Sequence, residues 1–320
     1  MAEASLVTER AFLMGSPFAV QAWAAPAAHR EVKRWITLAF GEIRRIEELL
    51  TDFRDSPFNR INDMAGIAPV KVSREIIDVI QRSLRLSHDT GGAFDISYAS
   101  VGLLWRAAEK TGIAPAASDL ERAKAQVDYR RIQVDEGACE VFVPHREMRI
   151  GLGGIGKGYA VDRAFDLLRG LGLENFVVNG AGDIHLHSST SAPRPWRVGI
   201  RNPFAGKETA MGWLELKQGA VATSGDYERY FEHGGVRYHH VIDGRSGEIT
   251  RSVSSVTILA DTTLAADVCA TAVMALGPDE GLAFINRRRD IAGFLITADG
   301  SVLRSATFGK AGGGGGRGAH

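Results

Sequence analysis

Residues 150–162 read I-G-L-G-G-I-G-K-G-Y-A-V-D, five glycines and one lysine in thirteen positions. Glycine lets the backbone come close to an anionic ligand, and the helical pattern that begins at once afterwards brings a helix N-terminus to the same charge. Lys157 adds a fixed positive charge. The loop is not a Walker sequence, because Gly158 stands where Ser or Thr would follow the lysine. Its glycine spacing does not match a dinucleotide fingerprint either. A tight turn capping a helix is the competing reading, and the loop alone does not separate the two.

Three other stretches carry groups able to act beside it. Asp267 and Thr271 lie four apart in a helical pattern, so both project from one face. One carboxylate and one hydroxyl make a thin cage, suited to Mg²⁺, which keeps waters and completes its shell with phosphate oxygens. The Gly156 carbonyl is a further candidate ligand. The plainer alternative is a threonine bonded within its own helix and an aspartate acting as a cap. Residues 221–247 hold Ser224, Asp226, His239, His240 and Asp243. Adjacent histidines on a strand face opposite ways, so only one of the pair faces a given site, and a plain hairpin accounts for them as well. The motif N-G-A-G-D-I (179–184) turns sharply and carries Asp183 towards the glycine loop. In T-G-G-A-F-D (90–95), Phe94 is placed to stack on an aromatic ligand and Asp95 to accept from its polar edge; each also fits a structural turn.

The elements that must position these groups can be read from periodicity. Val32, Trp35, Ile36, Ala39, Ile43, Ile46 and Leu50 recur every three or four residues, which predicts a long amphipathic helix over 29–53. Ser73 caps a second helix that ends at Gly91-Gly92. Ser118 and Glu121 match a capping box and predict a helix over 119–126. Further helices are expected at 154–171, 264–276 and 279–287. Strands are expected at 10–23, in one piece or in two joined at 15–17, and at 131–134, 139–143, 175–179, 196–201, 211–216, 236–242 and 252–259. A terminal hairpin at 292–297 and 302–307 completes the pattern. Helices and strands alternate irregularly and several strands pair as hairpins. That favours an α+β fold on antiparallel sheets, flanked by helices, over a doubly wound parallel one.

The bulk composition excludes several classes. With 38 basic and 38 acidic residues the chain has no net charge to attract a polyanion, so nucleic acid is not an expected partner. Cys139 and Cys269 are too few for a disulfide scaffold and lack metal-ligand spacing. No apolar run approaches the ~20 residues that span a bilayer, and the first ten residues lack a signal-peptide pattern. The chain as read is soluble and cytoplasmic, or periplasmic where a leader has been removed. Residues 1–310 are expected to form one two-lobed unit, and 311–320 a flexible glycine-rich tail.

Taken in chain order, these segments resemble the FAD:protein FMN transferase family, also called the ApbE family. The resemblance rests on M-G-S (14–16), D-S-P-F-N-R-I-N (55–62), T-G-G-A-F-D (90–95) and G-G-I-G-K-G-Y-A-V-D (153–162). It continues through N-G-A-G-D-I, V-A-T-S-G-D-Y-E-R-Y-F (221–231), H-V-I-D-G-R-S-G (240–247) and A-D-V-C-A-T (266–271). The ordered set covers nearly all of 10–277 and is highly specific. It implies a T-fold-like architecture with FAD in a cleft between two lobes. It also implies Mg²⁺-dependent transfer of FMN from FAD to a Thr or Ser hydroxyl of a target flavoprotein, with release of AMP. The family's metal ligands map onto Gly156, Asp267 and Thr271. Its FAD contacts map onto Met14, Phe53, Ala93, Phe94, Asp95, Gly153, Tyr159 and Val241, with Lys157 in the loop nearest the pyrophosphate. His240 matches the family's functional histidine and is the expected general base, with Asp243 second; Asp267 is the second catalytic residue. The chain departs from the family pattern in Gly156 for alanine, Gly244 for proline and G-A-G-D for A-G-G-D. Two other outcomes share these residues: an FAD pyrophosphatase giving free FMN and AMP, and a non-catalytic FAD-binding assembly factor.

Overall fold

The computed structural model describes residues 3–206, 209–228, 230–233, 236–239 and 241–311, leaving out the side chains of 231–239, 310 and 311. Eight strands form the main sheet: β1 Ser5–Leu13, β2 Ser16–Ala24, β3 Phe176–Gly180, β4 Asp183–His187, β5 Gln218–Gly225, β6 Val253–Ala260, β7 Ile291–Thr297 and β8 Val302–Arg304. They lie side by side in that order, and every neighbouring pair is antiparallel. The antiparallel α+β expectation is met.

Six helices matter for the site: α1 His29–Leu50, α2 Arg74–Asp89, α3 Ala99–Thr111, α4 Gly156–Gly170, α5 Thr263–Leu276 and α6 Pro278–Arg287. Six of the seven stripe residues read from α1 are the ones it buries, Val32, Ile36, Ala39, Ile43, Ile46 and Leu50, while Trp35 is half-buried against the same core and the helix ends at Leu50, not 53. Each fully buried Ile or Leu of this kind contributes about 1.5–3 kcal/mol. Helix α5 is apolar almost all round because it touches α4, α6, β5 and β6 at once. The opposite face of the sheet carries its own small core, in which Val177, Leu186, Val221 and Leu259 meet Val198 and Leu216 of a covering hairpin, Trp196–Arg201 with Ala210–Leu216. Between β2 and β3, residues 25–175 hold α1, α2, α3, α4 and a small sheet of Val70–Lys71, Glu140–Phe142 and Gln133–Asp135, and α1 and α4 pack against the main sheet.

Several boundaries differ from the pattern reading. The expected Ser118 cap is not made: the helix runs Ala117–Lys124 from Ala116, and Ser118 falls inside its first turn. The expected strand over 236–242 is two pieces, Val236–His239 and Ile242–Asp243, and the last strand stops at Arg304. Strand β5 was hidden because Gln218–Gly225 is made of small residues without alternation. Its burial on both faces explains the missing period. Helix α3 is absent from the pattern reading, because its moderate amphipathicity lies over a run of small residues that gives no clear stripe.

Candidate active site

Helices α4 and α5 run antiparallel in close register. At one level Thr271 Cγ2 lies 3.1 Å from where a Cβ on Gly154 would stand. Four residues on, the Gly158 N–H donates to Asp267 Oδ2 at 2.9 Å. Four further, Asp162 Oδ1 accepts from Thr263 N at 2.7 Å and Oδ2 from Leu264 N at 2.8 Å. Each step forward on α4 is matched by four residues back on α5, so glycine, glycine and aspartate face threonine, aspartate and helix N-terminus. The glycines are needed for closeness: a Cβ on Gly158 would sit 2.7 Å from Thr263 O and 2.8 Å from Asp267 Cβ.

This register sets two of the residues expected to hold a metal, Asp267 and Thr271, against Gly158 and Gly154, on either side of Gly156, with the Lys157 charge close to Asp267. Thr271 Oγ1 lies 3.3 Å from Ser224 Oγ at the end of β5. Lys157 Nζ pairs with Asp183 Oδ2 at 3.0 Å, as the turn in N-G-A-G-D-I foretold. That turn places Ala181 at φ 53° and Gly182 at φ 101°, and Gly182 N–H donates to Asn179 Oδ1 at 2.8 Å.

The electrostatics are those of a buried acidic pair around one ammonium. Burial raises the Asp183 carboxyl well above the usual carboxylate range, and the charge of Asp267 adds to it while Lys157 opposes. Asp267 is likewise raised by burial and held back by Lys157 and by the Gly158 N–H. Burial pulls the Lys157 ammonium down, but Asp183, Asp267 and Glu228 together raise it. Two carboxyl groups thus share one lysine in a site where their ionised forms are poorly solvated.

The helix start is less open to an anion than the sequence implied. Of its amides, Gly156 N–H donates to Leu152 O, Gly158 N–H to Asp267 and Tyr159 N–H to Ile155 O. Positive charge for a phosphate therefore falls mainly to the Lys157 side chain.

The other expected contacts fall in two groups. Met14 sits in the two-residue turn between β1 and β2 at φ 51°, its N–H donating to Glu47 Oε2, with Cε 3.9 Å from the Gly156 Cβ position. A bulky residue held in this conformation is strained, which fits a functional position. Phe94 lies against Gly154, and the Tyr98 hydroxyl lies 2.7 Å from the Gly153 Cβ position. Ala93 O accepts from Gly244 N at 3.0 Å, and Val241 is buried in the main core. The rest are engaged elsewhere. Asp95 uses Oδ1 on Ser97 and Oδ2 on the Tyr129 N–H, closing a turn. The Tyr159 hydroxyl donates to Glu75 Oε1 at 2.8 Å, and burial with that carboxylate raises its pKa. Phe53 is 68% exposed, with the Arg106 guanidinium 4.6 Å over its ring. His240 lies outside the described residues, and Asp243 pairs with Arg245.

Two residues of this cluster had no role in the sequence reading. Ser224 is one of the groups counted in 221–247, but no ligand or catalytic part is assigned to it from the sequence. Asp162 ends the quoted motif, yet its partners at 263 and 264 are about a hundred residues away, a distance no local pattern bridges.

The sequence model described as the ApbE family matches residues 14–295. An FAD:protein FMN transferase of Klebsiella pneumoniae (strain 342) is 32% identical over 308 residues, covering 96% of this chain and 94% of the relative. One of Treponema pallidum (strain Nichols) is 31% identical, covering 88% of this chain and 81% of its own length. Among solved structures, the ApbE protein of Thermotoga maritima superposes with a TM-score of 0.86 at 28% identity, covering 96% of this chain and 99% of the other.

Proposed function

The chain belongs to the ApbE family, and on that premise we propose that it is an FAD:protein FMN transferase that moves FMN to a Thr or Ser hydroxyl of a flavoprotein and releases AMP. The unit that acts is taken as 1–310, with 311–320 as a tail. The observation that supports the reading is the α4–α5 register, which sets Gly154 and Gly158, on either side of Gly156, against Thr271 and Asp267, with Lys157 paired to Asp183.

The donor set fits Mg²⁺. It is all oxygen, a carboxylate, a hydroxyl and a carbonyl, and a dication would favour the ionised forms of the Asp183 and Asp267 carboxyls that burial disfavours. Among the described residues no three His, Cys, Asp or Glu side chains gather as a cation cage. Such a thin site suits an ion whose remaining positions go to water and substrate oxygens. Asp267, Thr271 and the Gly156 carbonyl would hold it, and when bound it supplies charge neutralisation on the pyrophosphate.

The chain's own residues supply the rest. Breaking a pyrophosphate demands in-line positioning and charge stabilisation more than covalent help. Lys157, fixed by Asp183, offers its ammonium to the phosphates. Phe94, Ala93 and Val241 form the apolar side on which FAD is proposed to lie, with Met14, Phe53, Asp95, Gly153 and Tyr159 as further contacts. His240 is the proposed base for the acceptor hydroxyl, since an ordinary imidazole titrates near pH ~6.5. A pH–rate profile left unaltered by His240→Ala removes that role.

The test is to incubate the chain with FAD, Mg²⁺ and a flavoprotein presenting a Thr or Ser, then weigh the acceptor by intact mass spectrometry. An added FMN mass, lost with chelator or in Asp267→Ala, is the expected result. FAD split to FMN and AMP with the acceptor unmodified points to a pyrophosphatase. FAD that binds and stays whole overturns both enzymatic readings.

A further inference from the structure

We propose that Asp162 is a positioning residue that sets the register between the two halves of the metal site. The inference rests on the reading above that Gly156, Asp267 and Thr271 hold a divalent cation. The candidate ligands belong to different helices, Gly156 to α4 and the other two to α5. Between them at Gly154 and Gly158 one directional bond crosses, from the Gly158 N–H to Asp267 Oδ2, and the rest of the contact is backbone and methyl surface, which permits closeness but resists sliding weakly. A single further side chain adds two directional bonds at the end of α5.

Asp162 provides them. The first four N–H groups of a helix have no partner inside it. In α5 the three past the N-cap are taken, Thr263 and Leu264 by the two oxygens of Asp162 and Ala265 by Thr262 Oγ1, and the helix's own ladder begins with Ala266 N–H on Thr262 O. The Thr262 bonds come from α5's own chain and fix nothing relative to α4. The Asp162 bonds cross to α4 one turn from the Gly158–Asp267 contact, about 6 Å along the axis at 1.5 Å per residue. A carboxylate also matches the positive end of the α5 dipole.

A third element joins at the same carboxylate. His185 Nδ1–H donates to Asp162 Oδ1 at 2.7 Å, and its ring lies flat on Phe165 with centroids 3.5 Å apart. His185 is two residues after Asp183, so both point from the same face of β4, Asp183 to Lys157 and His185 to Asp162. One carboxylate therefore links α4, α5 and β4, the three elements that carry Lys157, Asp267 and Asp183.

The experiment compares Asp162→Asn with Thr262→Ala. Asparagine keeps the volume but offers only one acceptor oxygen to the two α5 amides and His185. Thr262→Ala weakens the same helix end and leaves the cross-helix bonds in place. For each chain, thermal unfolding, FAD affinity of the metal-free protein by flavin fluorescence, and Mn²⁺ affinity in the presence of FAD by electron paramagnetic resonance are measured. Outer-shell partners of metal ligands typically govern affinity by about 10–100-fold. Asp162→Asn is expected to weaken Mn²⁺ by roughly tenfold or more while FAD affinity stays within about twofold. Thr262→Ala is expected to lower Tm with Mn²⁺ affinity unchanged. Equal loss of Mn²⁺ affinity in both variants, or Asp162→Asn that lowers Tm alone, overturns the inference. Should Asp162→Asn fail to fold, Asp162→Ser, which retains one acceptor, is judged by the same outcomes. A parent chain that binds FAD but no Mn²⁺ overturns the underlying metal reading, and the inference falls with it.

Discussion

Gly158→Ala tests whether closeness of α4 and α5 is what makes the site. The added Cβ meets Thr263 O at 2.7 Å, Asp267 Cβ at 2.8 Å and Leu264 Cα at 3.0 Å, none of them the end of a flexible side chain. Ordinary contact begins near 3.4 Å, so the helices must part by about 0.7 Å. Overpacking of this kind costs about 1–3 kcal/mol, of which alanine's better helix propensity returns about 0.5–1, leaving a net loss of about 0–2.5 kcal/mol, centred just above 1. The same shift stretches the 2.9 Å bond from Gly158 N–H to Asp267 beyond useful range. Misplacement by ~1 Å can cost about a hundredfold in rate, so FMN transfer should fall by about ten- to a hundredfold. Gly41→Ala is the matched control: it lies within α1 with nothing within 4 Å of its Cβ position, and should gain about 0.5–1 kcal/mol. Urea unfolding and the intact-mass transfer assay on both variants decide the matter. A Gly158→Ala chain as stable and active as its parent would refute the reasoning, because the interface would then have room that the geometry denies.

Three further outcomes are expected. Lys157→Met leaves Asp183 buried without its counter-ion and should destabilise by about 3 kcal/mol, while the double variant with Asp183→Asn should recover most of that loss; a double variant worse than the single speaks against the pair. Ala181→Gly relieves a left-handed alanine and should raise stability by about 0.5–1 kcal/mol, read from the urea midpoint; a loss would show that the Ala181 methyl is held by favourable contacts. Burial pushes the Cys269 thiol up to about 12, from 9. Between those pH values the folded chain keeps a proton that the unfolded chain releases, so this group's contribution falls as pH rises above 9. At pH 10 the loss should be about 1.4 kcal/mol relative to pH 8, absent in Cys269→Ala, which a pair of urea titrations would detect.

The sequence by itself determined the pieces whose cause is local. The α1 stripe, the helix after the glycine loop and the turn at 179–184 follow from period, glycine and turn chemistry, and the structure has them. The ordered motifs also named the groups at the centre, Gly156, Lys157, Asp267 and Thr271. Tertiary structure decided what those groups face. Asp95 and Tyr159 read as ligand contacts from their types; the protein partners they also hold, the Tyr129 N–H and Glu75, are brought to them only by the fold. The amides at the glycine loop read as an anion nest, yet most are spent inside the protein. Strand β5 gave no signal because burial on both faces erases alternation. Asp162 shows the limit most clearly. Its residue type is legible, but its function depends on two N–H groups a hundred residues later, and only the antiparallel packing of α4 on α5 puts them within reach.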